Sequence, residues 1–302
     1  MTHPLPAVGL VAVPGRRRRT LELAREIEQR GFTGIYCPSF GDALALCEAL
    51  ALTTERIPFG TSIQPIYYRQ PEDCAQTISF INELAPGRFR FGIGVAHEPT
   101  LAARGISAGR PLADMRAFVE RLRAAPRAGE LPPVVLATLR RHMIALAASI
   151  GDGVVFANAA RSHMGFSLAT LAGAGAARAD FFVGNMIPTC VADDLDAARA
   201  VNRKTLTSYA LLPNYRNYWR EAGYAAEMDA VERCIADGAP ERIGACLSDQ
   251  WLDDTTIAGP PSRVREALAR WYEAGVTTPI LVPSSTAGGQ LQAFAELFEV
   301  FA

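Results

Sequence analysis

The sequence predicts an α/β fold, and within that class a (β/α)8 barrel of the TIM type. Three observations carry the prediction. Short apolar runs alternate with helical periodicity along the chain. Nearly all of these runs are continuous, which marks strands buried on both faces, as parallel strands covered by helices must be. Eight such units in 302 residues, without a low-complexity linker, suit a closed barrel better than an open sheet. The expected organisation is one domain over 1–302, with a helical excursion at about 193–258 between strands seven and eight.

The elements follow in order. Residues 7–13, between Pro6 and Pro14-Gly15, read as the first strand. Residues 20–29 place Leu21, Leu23, Ala24 and Ile27 at helical spacing, with Gly31 to end the helix. Strand 33–37 precedes helix 42–52, which Asp42 is placed to cap. The next pairs are strand 57–63 with helix 72–84, and strand 89–95 with helix 112–123. Strand 134–137 with helix 140–149 and strand 153–157 with a helix near 163–172 come next. The seventh strand is 181–187; a helical stretch over 193–236 interrupts the rhythm. Helix 262–274, strand 280–282 and helix 290–301 complete the pattern.

Composition excludes several classes. The 30 Lys+Arg nearly balance 31 Asp+Glu, which removes the basic footprint expected of a nucleic-acid binder. Hydrophobic residues reach 49%, enough for a large core, yet no uncharged stretch has the length and composition of a bilayer span. The first apolar run precedes the arginines at 16–19, the reverse of a secretory signal. Six cysteines without a Cys-x-x-Cys pair read as free thiols in a reducing cytoplasm. Four histidines without a His-Glu-x-x-His arrangement argue against a metal site.

Two motif matches fail on context. In Gly92-Ile93-Gly94-Val95-Ala96-His97 the third dinucleotide-loop position holds His97, and the next helix begins far too late. Gly105-Ile106-Ser107-Ala108-Gly109 matches the nucleophile elbow of a serine hydrolase, but no apolar strand leads into it. Arg16, Arg17, Arg18 and Arg19 stand at a helix start, where the macrodipole disfavours cations, so they read as a solvated loop or as a rim that attracts anions.

Residues 86–95, Pro-Gly-Arg-Phe-Arg-Phe-Gly-Ile-Gly-Val, resemble the Gly-Arg-Phe-x-Leu-Gly-x-Gly segment of the bacterial luciferase-like, flavin-dependent oxidoreductases. Three more segments agree in order: 59–63 with Arg69-Gln70-Pro71, 147–155 with Gly151-Asp152-Gly153, and 259–264 through Ala274-Gly275-Val276. The strand end Leu136–Ala137 and the region of Tyr209, Tyr215 and Tyr218 look most like the actinobacterial branch that uses the deazaflavin coenzyme F420.

The resemblance implies a cofactor across the C-terminal mouth of the barrel, F420 or alternatively FMN, and a small-molecule substrate. It implies a non-prolyl cis peptide at Ser62–Ile63, and cofactor contacts from Thr61, Ser62, Ile63 and Gln64. Gly94, Val95 and Ala96 would join them, with His97 as the candidate catalytic residue. Asn158, Ala159 and Arg161 suit a phosphate, with Thr138 and Arg140 in support; Ser162 alternatively caps a helix. Ser39 is also a candidate cofactor contact, and it stands where many relatives carry an acidic residue beside a histidine, which removes an obvious proton donor. The leading function is therefore hydride transfer with F420. The alternatives are an FMN monooxygenase using oxygen, a barrel without cofactor, and a hydrolase using Ser107. A homodimer is expected.

Overall fold

The computed structural model describes residues 3–176, 178 and 180–302. The fold is a (β/α)8 barrel. Its strand segments are β1 (Ala7–Gly9), β2 (Ile35–Cys37), β3 (Phe59–Thr61), β4 (Gln64–Pro65) and β5 (Phe89–Gly94), then β6 (Val134–Ala137), β7 (Gly153–Ala157), β8 (Phe182–Val191), β9 (Ile257–Gly259) and β10 (Thr278–Ser284). The eight barrel strands are all of these but β4 and β9. The chain divides into two compact units, one of Pro4–Phe156 with Ala169–Gly184, the other of Ala157–Leu168 and Asn185–Ala302 with His3.

In the first unit β1, β2, β3, β5, β6 and β7 pair in parallel in that order. The register sets Val8 opposite Ile35, Tyr36 opposite Gly60, and Leu136 opposite Val154. Each strand is short and buried, so the apolar runs read from the sequence are the sheet itself. Two glycines hold β3 and β5 close. A Cβ on Gly60 would lie 2.4 Å from the Arg90 carbonyl oxygen, and one on Gly92 would lie 1.9 Å from that of Thr61. The Thr61 hydroxyl donates to the Gly92 carbonyl at 2.6 Å, locking the same approach. The Gly-x-Gly of this strand is thus a packing device and not a phosphate loop.

Arg88 of the Gly-Arg-Phe segment pins the base of the same unit. Its guanidinium donates to Thr54 Oγ1 and the Ala51 carbonyl, each at 3.0 Å, and lies 5.3 Å from the Phe59 ring centre. Asp42 caps helix Ala43–Thr53 through the Ala45 amide, as expected, and Pro71 opens helix Pro71–Leu84.

In the second unit β8 pairs with β9 in parallel, Cys190 opposite Ala258, and also with β10. The interval between β8 and β9 is the predicted excursion, and it carries helices Leu195–Ala210, Pro213–Glu221, Ala225–Ala236, Ile243–Cys246 and Asp249–Thr255. Its core is aromatic: Trp219 meets Trp251 edge-on at 4.7 Å, and Tyr215 lies 5.4 Å from Trp219. Asn202 fastens helix Leu195–Ala210 to the sheet by donating to the Ile257 carbonyl at 3.0 Å.

All eight predicted strands are present. The additional β4 and β9, of two and three residues, are not expected from the sequence. Gly31 adopts φ 84° just after the first helix, which suits the absence of a side chain there.

Candidate functional site

In the first unit the ends of β3 and β5 lie side by side. The peptide Ser62–Ile63 is cis, and Gln64 follows in β4, paired opposite Ile93. Thr61, Ser62 and Gln64 are all buried, and the Gln64 amide donates to the Pro65 carbonyl at 3.3 Å. Ile63 covers Gly94, where a Cβ would come within 2.8 Å of its side chain. The Thr61 hydroxyl is spent on the sheet, so its backbone is what it can offer a ligand.

Past β5 the chain turns through Ala96, which holds the left-handed conformation at φ 59°. His97 then begins helix Glu98–Ala102, its carbonyl accepting from the amides of Thr100 and Leu101. The His97 ring is partly buried, and that burial lowers its pKa, favouring the neutral imidazole. Past β6, Thr138 donates its amide to the Val155 carbonyl, while its buried Oγ1 makes no hydrogen bond. Ser39 and Arg140 are exposed.

The second unit holds the segment past β7. Asn158 is 4% exposed and adopts φ 55°, a left-handed conformation that asparagine tolerates better than most residues. Its amide donates to the Met186 carbonyl, and its own carbonyl accepts from Trp219 Nε1 at 3.1 Å. The side chain faces the hydroxyls of Tyr209 and Tyr215, whose pKa values burial raises and Asn158 partly lowers. Its buried Nδ2 stands outside hydrogen-bonding geometry with any acceptor. Ala159 and Ala160 are fully buried, and the Ala160 amide donates to the Tyr218 hydroxyl at 3.1 Å.

Ser162 corrects an expectation. It does not cap the helix Met164–Gly173 that follows; its hydroxyl and amide both donate to Asp254, at 2.5 and 3.0 Å. Asp254 is 5% exposed and also accepts from the Tyr224 hydroxyl at 2.9 Å, with Arg161 as its ionic partner at 3.5 Å. Arg161 thus has an acidic partner within the protein. Sequence reasoning missed Asp254, which lies far along the chain from the segment it holds.

The other residues singled out by the sequence are placed as follows. Ser107 is exposed in the loop between two helices, without the strand-to-helix turn a hydrolase needs. Of the aromatics considered as pocket lining, Tyr215, Tyr218 and Trp219 are core, and Phe40 is 68% exposed. Tyr67 and Tyr68 line an open cleft of about 450 Å³ with Arg69, Gln70 and Asp73. Tyr67 donates to Asp114 at 2.8 Å, and burial together with that carboxylate pushes its pKa up to about 12. Arg16, Arg17 and Arg18 are exposed at the start of helix Arg17–Gln29, and among the described residues only Arg19 of the run has an ionic partner, Glu22. No cluster of His, Cys, Asp or Glu suited to a metal occurs among the described residues, nor a helix long and apolar enough to cross a membrane.

In the first unit a cis peptide and a half-buried histidine follow strand ends, and in the second unit the buried Asn158 follows a strand; strand C-terminal ends are where α/β barrels carry their ligand sites. The luciferase-like monooxygenase family model matches residues 5–278, and the chain belongs to that family. It is 28% identical to the 5,10-methylenetetrahydromethanopterin reductase of Archaeoglobus fulgidus, over 76% of this chain and 77% of that one. It is 25% identical to Rv3520c of Mycobacterium tuberculosis, named for a proposed coenzyme F420-dependent oxidoreductase activity, over 87% and 90%. Among solved structures, the F420-dependent tetrahydromethanopterin reductase of Methanopyrus kandleri superposes with TM-score 0.78 at 15% identity, covering 98% and 97%. The FMN complex of a Pseudomonas putida diketocamphane monooxygenase gives TM-score 0.60 at 16% identity, covering 92% of each chain.

Proposed function

We propose that this chain is an F420-dependent oxidoreductase acting on a small organic substrate. The observation that carries the reading is the buried Nδ2 of Asn158 directly after a barrel strand, which makes no hydrogen bond of good geometry even to the tyrosine hydroxyls it faces. A buried donor left unpaired costs about 1–3 kcal/mol, and an anionic oxygen of a bound cofactor would relieve that cost. The buried Oγ1 of Thr138 is a second unpaired polar atom of the same kind.

When bound, the deazaflavin supplies hydride transfer, and the rest is positioning by the protein. Ser62, Ile63 and Gln64, with Gly94, Val95 and Ala96, offer an apolar face with backbone polar groups for the ring. Within the second unit, Asn158 and Ala159 suit an anionic group, and Arg161, tethered by Asp254, adds a fixed positive charge. His97, its neutral form favoured by burial, accepts or returns a proton on the substrate. The exposed Arg16, Arg17 and Arg18 raise the local concentration of an anionic cofactor.

Replacing Asn158 by Asp removes the donor at equal size and keeps a residue that tolerates the left-handed conformation. F420 titrated into the variant should bind more than tenfold more weakly than to the natural protein, with circular dichroism unchanged. Equal affinity in a folded variant would remove Asn158 from the site.

A further inference from the structure

The excursion contains two thiols in contact. Cys234, near the end of helix Ala225–Ala236, lies with its Sγ 3.6 Å from that of Cys246, the last residue of helix Ile243–Cys246. The remaining thiols, Cys37, Cys47, Cys74 and Cys190, are all buried without exposed surface. Cys37 and Cys47 also neighbour one another, but neither reaches solvent. The 234/246 pair differs in being asymmetric: Cys234 is 7% exposed, whereas Cys246 is only partly buried.

We infer that Cys234 and Cys246 form an oxidative modification site, taking a hydroperoxide as reactant and closing to a reversible disulfide. The inference rests on thiol geometry and is independent of the cofactor reading. Cys246, the accessible member, attacks the peroxide as its thiolate. One S–O bond forms, the O–O bond breaks, and with hydrogen peroxide water leaves, giving a sulfenic acid. The Cys234 thiol, deprotonated in the step, then attacks that sulfur, forming the S–S bond and releasing a second water. Two thiols and one peroxide yield one disulfide and two waters.

Two features favour this order. Arg233 and Arg242 both act to stabilise the Cys246 thiolate, although burial and the neighbouring thiol hold its pKa above the ordinary thiol value. The reaction is therefore slower than at a dedicated peroxidatic cysteine and grows with pH. The two sulfurs already touch, so closure needs only a small shift of two short helices joined by the turn Pro240–Arg242. The bond constrains the unfolded chain and stiffens this segment.

The test exposes the protein to hydrogen peroxide, blocks remaining thiols under denaturing conditions, and maps peptides without reductant. A peptide pair joined through Cys234 and Cys246 should form before any bond or oxidation at the other four cysteines, and dithiothreitol should reverse it. The melting temperature of the oxidised protein should rise. In Cys234→Ser, dimedone should trap a sulfenic acid on Cys246. Over-oxidation of Cys246 while Cys234 stays alkylatable would overturn the inference, as would a first bond between Cys37 and Cys47.

Discussion

Asp254 accepts two hydrogen bonds from Ser162 across 92 residues of sequence, one from the amide at 3.0 Å and one from the hydroxyl at 2.5 Å. With Tyr224 as third donor and Arg161 as ionic partner, the buried carboxylate fixes the segment that follows β7. Asp254→Asn keeps the shape but removes the charge. It should destabilise the protein by about 1.5–3 kcal/mol, the range for hydrogen bonds to a charged group. Amide exchange at 160–163 should rise in the same variant. Tyr224→Phe, which removes one hydrogen bond to the same carboxylate, should cost about 1.5–3 kcal/mol. A double-mutant cycle between Ser162→Ala and Asp254→Asn reads the coupling directly, and additive effects would dismiss the network.

Gly92 should tolerate no side chain. A Cβ there meets the Thr61 carbonyl oxygen at 1.9 Å, an atom of the sheet backbone that cannot swing aside. Gly92→Ala should therefore lower the melting temperature sharply or prevent soluble expression. Gly165→Ala, where nothing lies within 4 Å, should be harmless. Similar behaviour of the two variants in thermal melts would refute the packing role.

Glu28 ties the first unit together through three backbone amides. Its Oε1 accepts from Glu55, Arg56 and Ile57 at 3.0, 2.7 and 2.8 Å. Burial raises its pKa, but these bonds outweigh that and hold it below the ordinary carboxylate value. A depressed carboxylate contributes stability above its unfolded pKa, and the contribution is lost as pH falls through the folded value. Glu28→Gln should be less stable at neutral pH by about 1–3 kcal/mol. Denaturant melts should show the difference shrinking as pH falls below the ordinary carboxylate range. A difference independent of pH would contradict the assignment.

His97 carries the proposed proton transfer. Because burial lowers its pKa, the neutral form persists to lower pH than in a free imidazole, and protonation on acidification should quench activity. His97→Gln should lower kcat by about 10²–10⁴-fold and erase the acidic limb of the pH profile. A variant that retains both kcat and that limb would make the residue structural.

The barrel is legible because its strands are continuous apolar runs, from 7–13 to 280–282, each followed by a helical stretch. The cis Ser62–Ile63 peptide came through likeness to a family, since no local pattern encodes it. The grip on Asn158 was not legible. Trp219 and Asp254 reach residues 158 and 162 from helices some 60 and 90 positions away, and such distant pairings leave no trace in spacing. Ser162 suited an N-cap by its local sequence, yet a buried carboxylate offered its donors a stronger partner. Tyr218 and Trp219 looked equally like pocket lining and core, and their complete burial decides for the core.

The central claim is the choice of cofactor. Coenzyme F420 carries more negative charge than FMN, and the exposed Arg16, Arg17 and Arg18 favour the more anionic of the two. Each exposed contact is worth only about 0–1 kcal/mol, so the arginines act together and their effect is screened by salt. The decisive measurement is a fluorescence titration of the protein with F420 and with FMN at low and at high salt. The account predicts that F420 binds more tightly at low salt and that the gap narrows as salt rises. Tighter binding of FMN at low salt, with oxygen consumed after its reduction, would contradict it.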